Sequence, residues 1–254
     1  MKNDNKPIPE VIFSKVRSAF RSLFEPIAAK RGFFSKTMPE ERVEKSRVLV
    51  YTWCMKPTLK YERKYWDEGK NIICGIDEVG RGSWAGPLYV GAVVFDKNHR
   101  MIDGVNDSKK LTPLKRETLH KEIIENALAY SIGAVKSYEV DSYGLTLATE
   151  IAIERAIEGL GLTVDLLLID AISYKKLDCL PIIKGDQVCY SISCASIIAK
   201  VERDKYISSI PEAEVYRFDR NKGYGTMEHV ELIKKHGISD VHRKSFKPIR
   251  ILCG

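Results

Sequence analysis

Between Pro9 and Ala28 the apolar residues Ile12, Val16, Phe20, Phe24 and Ile27 recur every three or four positions, with Lys15, Arg17 and Arg21 between them. That spacing predicts a basic amphipathic helix. Thr37 and Glu40 have capping-box spacing before a second helical stretch ending near Trp53, and Thr58 to Glu68 predicts a short third helix closed by Gly69. The pattern changes after Gly69. Asn71 to Asp77 and Pro87 to Phe95 are short β-compatible runs separated by a glycine-rich turn, which predicts paired strands and a new domain. Thr112 followed by Pro113 is a cap with proline at the first helical position, opening a helix to about Ala129, after which Ser131 to Val135 is strand-like. Leu145 to Leu160 predicts a helix, and the apolar run Val164 to Ile169 a central strand buried on both faces. Beyond Asp186 the chain reads as helical to about Ser209, where Ser191, Ser193, Ala195, Ser196 and Ala199 permit close packing, and a final helix is expected from Met227 to Lys235. Strands alternating with helices place the domain at 71–254 in the α/β class, behind an all-helical segment at 1–70.

Composition changes this picture little: 254 residues, 44% hydrophobic and 30% charged, suit one sizeable globular domain with an appendage. Six cysteines without CxxC spacing predict reduced, mostly buried thiols and no zinc site. The first residues, MKNDNKPIPE, are polar, and no apolar run approaches the roughly eighteen residues needed to cross a bilayer, so a cytoplasmic protein without membrane association is expected. Nothing signals an oligomer, and a monomer is the default. Charge is more informative. Of the formal +7, all sits in residues 1–70, which hold 16 Lys+Arg against 9 Asp+Glu, whereas residues 71–254 hold 25 of each. A basic appendage of this kind suits a polyanion, and its removal is expected to flatten the salt dependence of nucleic-acid binding.

Candidate chemistry concentrates in GIDEVGRG, residues 75–82, where two adjacent carboxylates end an apolar strand and Gly80, Arg81 and Gly82 follow at once. Neighbours on a regular strand point to opposite faces, so convergence of Asp77 and Glu78 is expected to require a backbone break at Glu78, which the glycines make cheap. Asp170 ends the apolar run at 166–169, and strand ends of open α/β sheets face the site crevice. Asp186 follows Lys184 and Gly185 just before a helix. Four carboxylates brought together would repel unless divalent cations lay between them, and an all-oxygen donor set suits Mg²⁺ or Mn²⁺. Two such ions serve phosphodiester cleavage, a chemistry that needs no Ser/His or Cys/His pair. A carboxylate-pair glycosidase would need its acids on opposite sides of a sugar, which adjacent Asp77 and Glu78 do not provide.

GIDEVGRG, NDSKKLT (106–112), LLLIDA (166–171), KGD (184–186), ASIIAKVERD (195–204), NKGYGTMEH (221–229) and HRKSF (242–246) occur in the order that they have in ribonuclease HII, which the chain resembles over residues 72–250. The resemblance implies a ribonuclease H-like mixed β-sheet flanked by helices, with a helical C-terminal portion from about residue 205. It implies an Asp-Glu-Asp-Asp metal site at Asp77, Glu78, Asp170 and Asp186. It also implies that Gly80, Arg81 and Gly82 grip the ribose 2′-hydroxyl and flanking phosphates, and that Tyr224 stacks near the ribonucleotide-to-deoxyribonucleotide junction. Ser108 and Lys109, at a loop before a helix, suit phosphate oxygens. The implied activity is two-metal endonucleolytic cleavage 5′ of ribonucleotides in RNA/DNA hybrids and ribonucleotide-containing duplex DNA, leaving 3′-hydroxyl and 5′-phosphate ends. Its implied purpose is removal of misincorporated ribonucleotides.

Two alternatives compete. Ribonuclease HIII is similar in fold but usually carries GKG after its Asp-Glu, so Arg81 favours type II. A non-catalytic duplex binder would keep the carboxylates only for folding. Two departures from the type II pattern stand out: Ser83 and Trp84 follow GRG where proline and a small or aliphatic residue are usual, and GISDVHR lacks the usual Gly-Pro before its histidine. Trp84 either packs under the hairpin or touches substrate.

Overall fold

In this computed structural model residues 56–253 are described, so the two helices expected before Trp53 lie outside the described residues. The third appears as α1 (Lys60–Asp67), followed by Gly69 at φ +90°. It was expected to belong with the first 70 residues, but Leu59, just ahead of it, is buried among Val93, Phe95 and Leu119, and Glu62 is buried against the segment Cys189–Ser191. These contacts tie α1 to the sheet that follows it.

Strands β1 (Ile73–Val79), β2 (Leu88–Val94), β3 (Ala129–Val135), β4 (Leu166–Asp170) and β5 (Cys179–Ile182) form one mixed sheet in the order β3-β2-β1-β4-β5. β1, β2 and β3 pair antiparallel, while β4 lies parallel to both β1 and β5. The strand expected to be central is β4, which lies inside the sheet between β1 and the edge strand β5 and is buried on both faces, its alternate residues serving different cores: Leu167 and Ile169 one, Leu166 and Leu168 the other. β5 was not expected from the sequence. Pro181 within it is tolerated because an edge strand has a side that needs no donor.

Helix α2 (Pro113–Asn126) opens as predicted, with the Thr112 hydroxyl accepting from the Lys115 amide. Helix α3 (Ser137–Gly159) starts earlier than expected because a preceding helical turn joins it across Gly144, whose φ of +75° and ψ of 160° interrupt the helix. A short turn, α4 (Gly185–Val188), and the long α5 (Tyr190–Ser209) replace the continuous helix expected after Asp186, the break falling at Cys189 in extended conformation. The C-terminal portion comprises α6 (Ala213–Tyr216), α7 (Phe218–Asn221), α8 (Met227–His236) and α9 (Lys247–Cys253). α8 was expected to be the last helix; α9, which includes Pro248 in its first turn, follows it.

Close approach of α5 to the sheet depends on two glycines. A Cβ on Gly75 of β1 would lie 2.3 Å from the Ser191 carbonyl carbon, and one on Gly91 of β2 would lie 2.4 Å from the Ala195 oxygen. The small residues of α5 and the glycines of the sheet are therefore complementary halves of one contact. Among the described residues Cys74, Cys179, Cys189, Cys194 and Cys253 are free thiols, as expected, and no helix there is long and apolar enough to cross a membrane.

Candidate active site

The expected break at Glu78 does not occur. β1 stays paired with β2 through Glu78 and Val79, and the chain turns only at Gly80, with φ +84°. What brings the acids together is parallel pairing: Ile76 of β1 is in register with Ile169 of β4, so the next residue on each strand is a carboxylate, Asp77 and Asp170. Asp77 is buried, and its Oδ1 accepts from the Glu78 amide at 2.8 Å. Asp170 Oδ1 accepts from the Gly185 amide at 2.7 Å, which draws α4 and buried Asp186 to the same end of the sheet.

Their electrostatics show mutual influence. Burial, reinforced by Glu78 and then by Asp170 and Asp186, holds the Asp77 carboxyl well above the usual range, while the Ser196 hydroxyl opposes the shift. Glu78 is pushed up to about 7 by burial, with Asp170 adding and Arg81 opposing. Asp186 is raised by burial, against the ammonium of Lys109 at 3.2 Å. As placed, no three His, Cys, Asp or Glu side chains among the described residues are gathered closely enough to hold an ion. The four carboxylates share one strand-end region without closing into a cage. Their donor set is nonetheless all oxygen, and carboxyls pushed toward protonation mark negative charge that a hard divalent cation would offset.

The loop after β1 is held from behind by two buried arginines. Arg203 of α5 donates from Nε to the Pro87 oxygen at 2.9 Å, and from its terminal nitrogens to the Lys222 oxygen at 3.0 Å, the Ala85 oxygen at 3.2 Å and Ser83 Oγ at 2.7 Å. The Ser83 hydroxyl in turn donates to the Gly80 oxygen at 2.8 Å. Arg243 donates to the Arg81 oxygen at 2.9 Å and twice to that of Gly86. Among the described residues neither guanidinium forms an ion pair. Burial pushes Arg243 down to about 9, with Arg203 adding to the shift. A Cβ on Gly80 would strike Arg203 Nε at 2.1 Å, whereas one on Gly82 would meet nothing within 4 Å. Gly80 is therefore closed in by protein, and Gly82 faces open space.

A family model described as Ribonuclease HII matches residues 74–249. The chain belongs to the ribonuclease HII family. It is 48% identical over 188 residues to Ribonuclease HII of Caldicellulosiruptor bescii, covering 73% of this chain and 91% of that one. With the Aliivibrio fischeri enzyme it is 44% identical over 190 residues, covering 74% and 91%. Among solved structures, ribonuclease H2 of Pyrococcus horikoshii OT3 superposes with a TM-score of 0.57 at 27% identity, over 71% of this chain and 96% of that one. The RNase HII of an Archaeoglobus fulgidus complex with PCNA does so with 0.57 at 25%, over 72% and 97%. A Bst-RNase HIII bound to Mn²⁺, at 19% identity and a TM-score of 0.54, shares the fold.

Other motif residues of this ribonuclease H hydrolase are placed unequally. Lys109 is exposed at 77% of its side chain beside Asp186, but Ser108 is buried and shares its hydroxyl with Ser196 Oγ at 2.9 Å. Tyr224 lies with its ring 5.5 Å from the Arg203 guanidinium and 5.8 Å from Lys200 Nζ. Trp84, left open by sequence, packs against the Tyr224 turn: a Cβ on Gly225 would fall 2.1 Å from its ring. Sequence reasoning missed Ser196, Arg203, Arg243 and the buried Asp107, which accepts from the Lys109 amide and from Gln187. All but Gln187 stand inside the quoted motifs, but residue type alone gave no sign of their contacts.

Proposed function

We propose that this ribonuclease H cuts the phosphodiester bond 5′ of a ribonucleotide, in RNA/DNA hybrids and where a single ribonucleotide is embedded in duplex DNA, leaving 3′-hydroxyl and 5′-phosphate ends. Misincorporated ribonucleotides would be its repair substrate. The observation that carries this reading is the GRG loop, fixed from behind by Arg203 and Arg243, open at Gly82, and continuous with the strand bearing Asp77 and Glu78. Only the 2′-hydroxyl distinguishes the two sugars, and a rigid backbone without a Cβ is suited to approach it.

Asp77, Glu78, Asp170 and Asp186 would hold two Mg²⁺ or Mn²⁺ ions, whose contribution in such chemistry is an activated water and stabilisation of the leaving oxygen. Arg81 and Lys109 offer exposed cations to phosphate oxygens, and the turn that carries Lys109 is capped by Asp107 and anchored by the Ser108 hydroxyl on Ser196 Oγ. Tyr224 presents its ring to the sugar or base at the junction. Arg81 in the GRG loop favours this reading over the hybrid-only specificity of ribonuclease HIII.

The test is a metal-dependent assay on a duplex bearing one ribonucleotide, with product ends identified. Asp77→Asn should lower cleavage at least about a hundredfold while leaving duplex binding intact. Cleavage of long hybrids with the single ribonucleotide left uncut would replace this reading by the type III one.

A further inference from the structure

Two histidines of the C-terminal motifs take no part in the chemistry above, yet both are almost fully buried, His229 on α8 and His242 before Arg243. Their Nε2 atoms lie 3.1 Å apart. His229 Nδ1 is 3.0 Å from the Tyr224 carbonyl oxygen, and His242 Nδ1 is 3.0 Å from the Ser239 amide nitrogen and 3.1 Å from its hydroxyl. A backbone amide only donates and a carbonyl only accepts. His242 Nδ1 must therefore be bare, with the proton on Nε2. That proton is donated to His229 Nε2, so His229 carries its own proton on Nδ1 and donates it to Tyr224. One placement of protons satisfies every contact, and any added proton sets two N–H groups head to head.

The walls around the pair hold it in that state. Tyr216 of α6, Phe218 of α7 and the ring of Trp84 enclose it. The Tyr216 phenol donates to the Gly237 oxygen at 3.1 Å, and Arg243, next in the chain, is turned to Arg81 and Gly86. Among the described residues no carboxylate faces either ring. Burial lowers both histidines, His242 to about 4. Tyr224 is fixed at its amide by the Asn221 oxygen and at its carbonyl by the Thr226 amide at 2.8 Å together with His229, while the preceding Gly223 oxygen accepts from Trp84 and Ala85.

We propose that His229 and His242 are positioning residues, a neutral single-tautomer relay from Ser239 to the Tyr224 carbonyl that sets the Tyr224 ring for substrate. This rests on the reading of Tyr224 as a substrate contact. A phenylalanine in place of His229 would fill the same aromatic pocket but remove the proton donated to Tyr224 and leave the His242 Nε2–H without its acceptor.

Steady-state kinetics of the full chain on the single-ribonucleotide duplex test it. His229→Phe should raise KM about tenfold with little change in kcat, the size expected for one lost buried hydrogen bond. His229→Asn, whose amide can still donate to Tyr224, should recover most of the loss. In a Tyr224→Ala background, His229→Phe should add nothing further. Additive losses overturn the relay, whereas an unimpaired Tyr224→Ala removes the substrate contact on which it rests. If His229→Phe does not fold, ¹⁵N NMR of the imidazoles in the unsubstituted chain decides. Protons should sit on Nε2 of His242 and Nδ1 of His229, with the His242 ring uncharged between about pH 8 and about pH 5; the opposite tautomers, or a charged His242 ring at about pH 6, overturn the proposal.

Discussion

At the scale of single residues, the two glycines of the GRG loop have different duties. Gly80 combines a positive φ with a Cβ direction blocked by Arg203, so Gly80→Ala should cost at least about 2 kcal/mol of stability through strain and displacement of a buried guanidinium. Gly82 meets nothing, and Gly82→Ala should change stability by less than about 0.5 kcal/mol. If the open face receives the ribose, that second variant should still lose about tenfold or more in kcat/KM on the single-ribonucleotide duplex. Chemical denaturation and kinetics of the same two proteins separate the cases; an unimpaired Gly82→Ala would place the sugar elsewhere. Asp77 and Glu78 were legible in sequence because acids at the end of an apolar strand are conspicuous. Arg203 and Arg243 were not, since an arginine buried against backbone carbonyls reads like any solvated one until its contacts are known.

At the scale of elements, the apolar run before Asp170 revealed its central strand, whereas β5 escaped notice because CLPI is short, interrupted by proline and only partly buried. A local kink at Glu78 was expected to bring the acids together; instead the register of β1 with β4 sets Asp77 beside Asp170, a non-local pairing that no window of sequence displays. Helix α1 was grouped with the basic segment by composition, yet Glu62 accepts from the Ser191 amide at 2.8 Å, placing a carboxylate at the amino end of α5. Deleting residues 1–70 should therefore destabilise the remainder by about 1–3 kcal/mol relative to deleting 1–55. Unfolding midpoints of the two truncated chains measure this. The shorter deletion is also the cleaner probe of whether the basic segment steepens the salt dependence of duplex binding.

For the whole molecule, the histidine pair links folding to pH. The ordinary histidine value is about 6.5, and burial with His229 alongside lowers His242 to about 4 in the folded chain. The unfolded chain thus binds the proton more readily, and the stabilisation is fully present above about pH 6.5 and lost as pH falls through about 4, up to about 3 kcal/mol across the window. His229 shifts in the same direction. Urea midpoints at about pH 7 and about pH 5 should diverge more for the natural chain than for His242→Phe, and parallel profiles would contradict the linkage.

The parallel seam between β1 and β4 also has a consequence in time. A chain emerging from the ribosome presents Asp77 and Glu78 well before Asp170 and Asp186, and its first three strands can form an antiparallel meander without them. Such a partly made molecule holds two of the four candidate carboxylates, Asp77 and Glu78, and a GRG loop still lacking Arg203 behind it. On the proposed reading, cutting ability would then arrive only once β1 and β4 have paired, since that seam is what sets Asp77 beside Asp170.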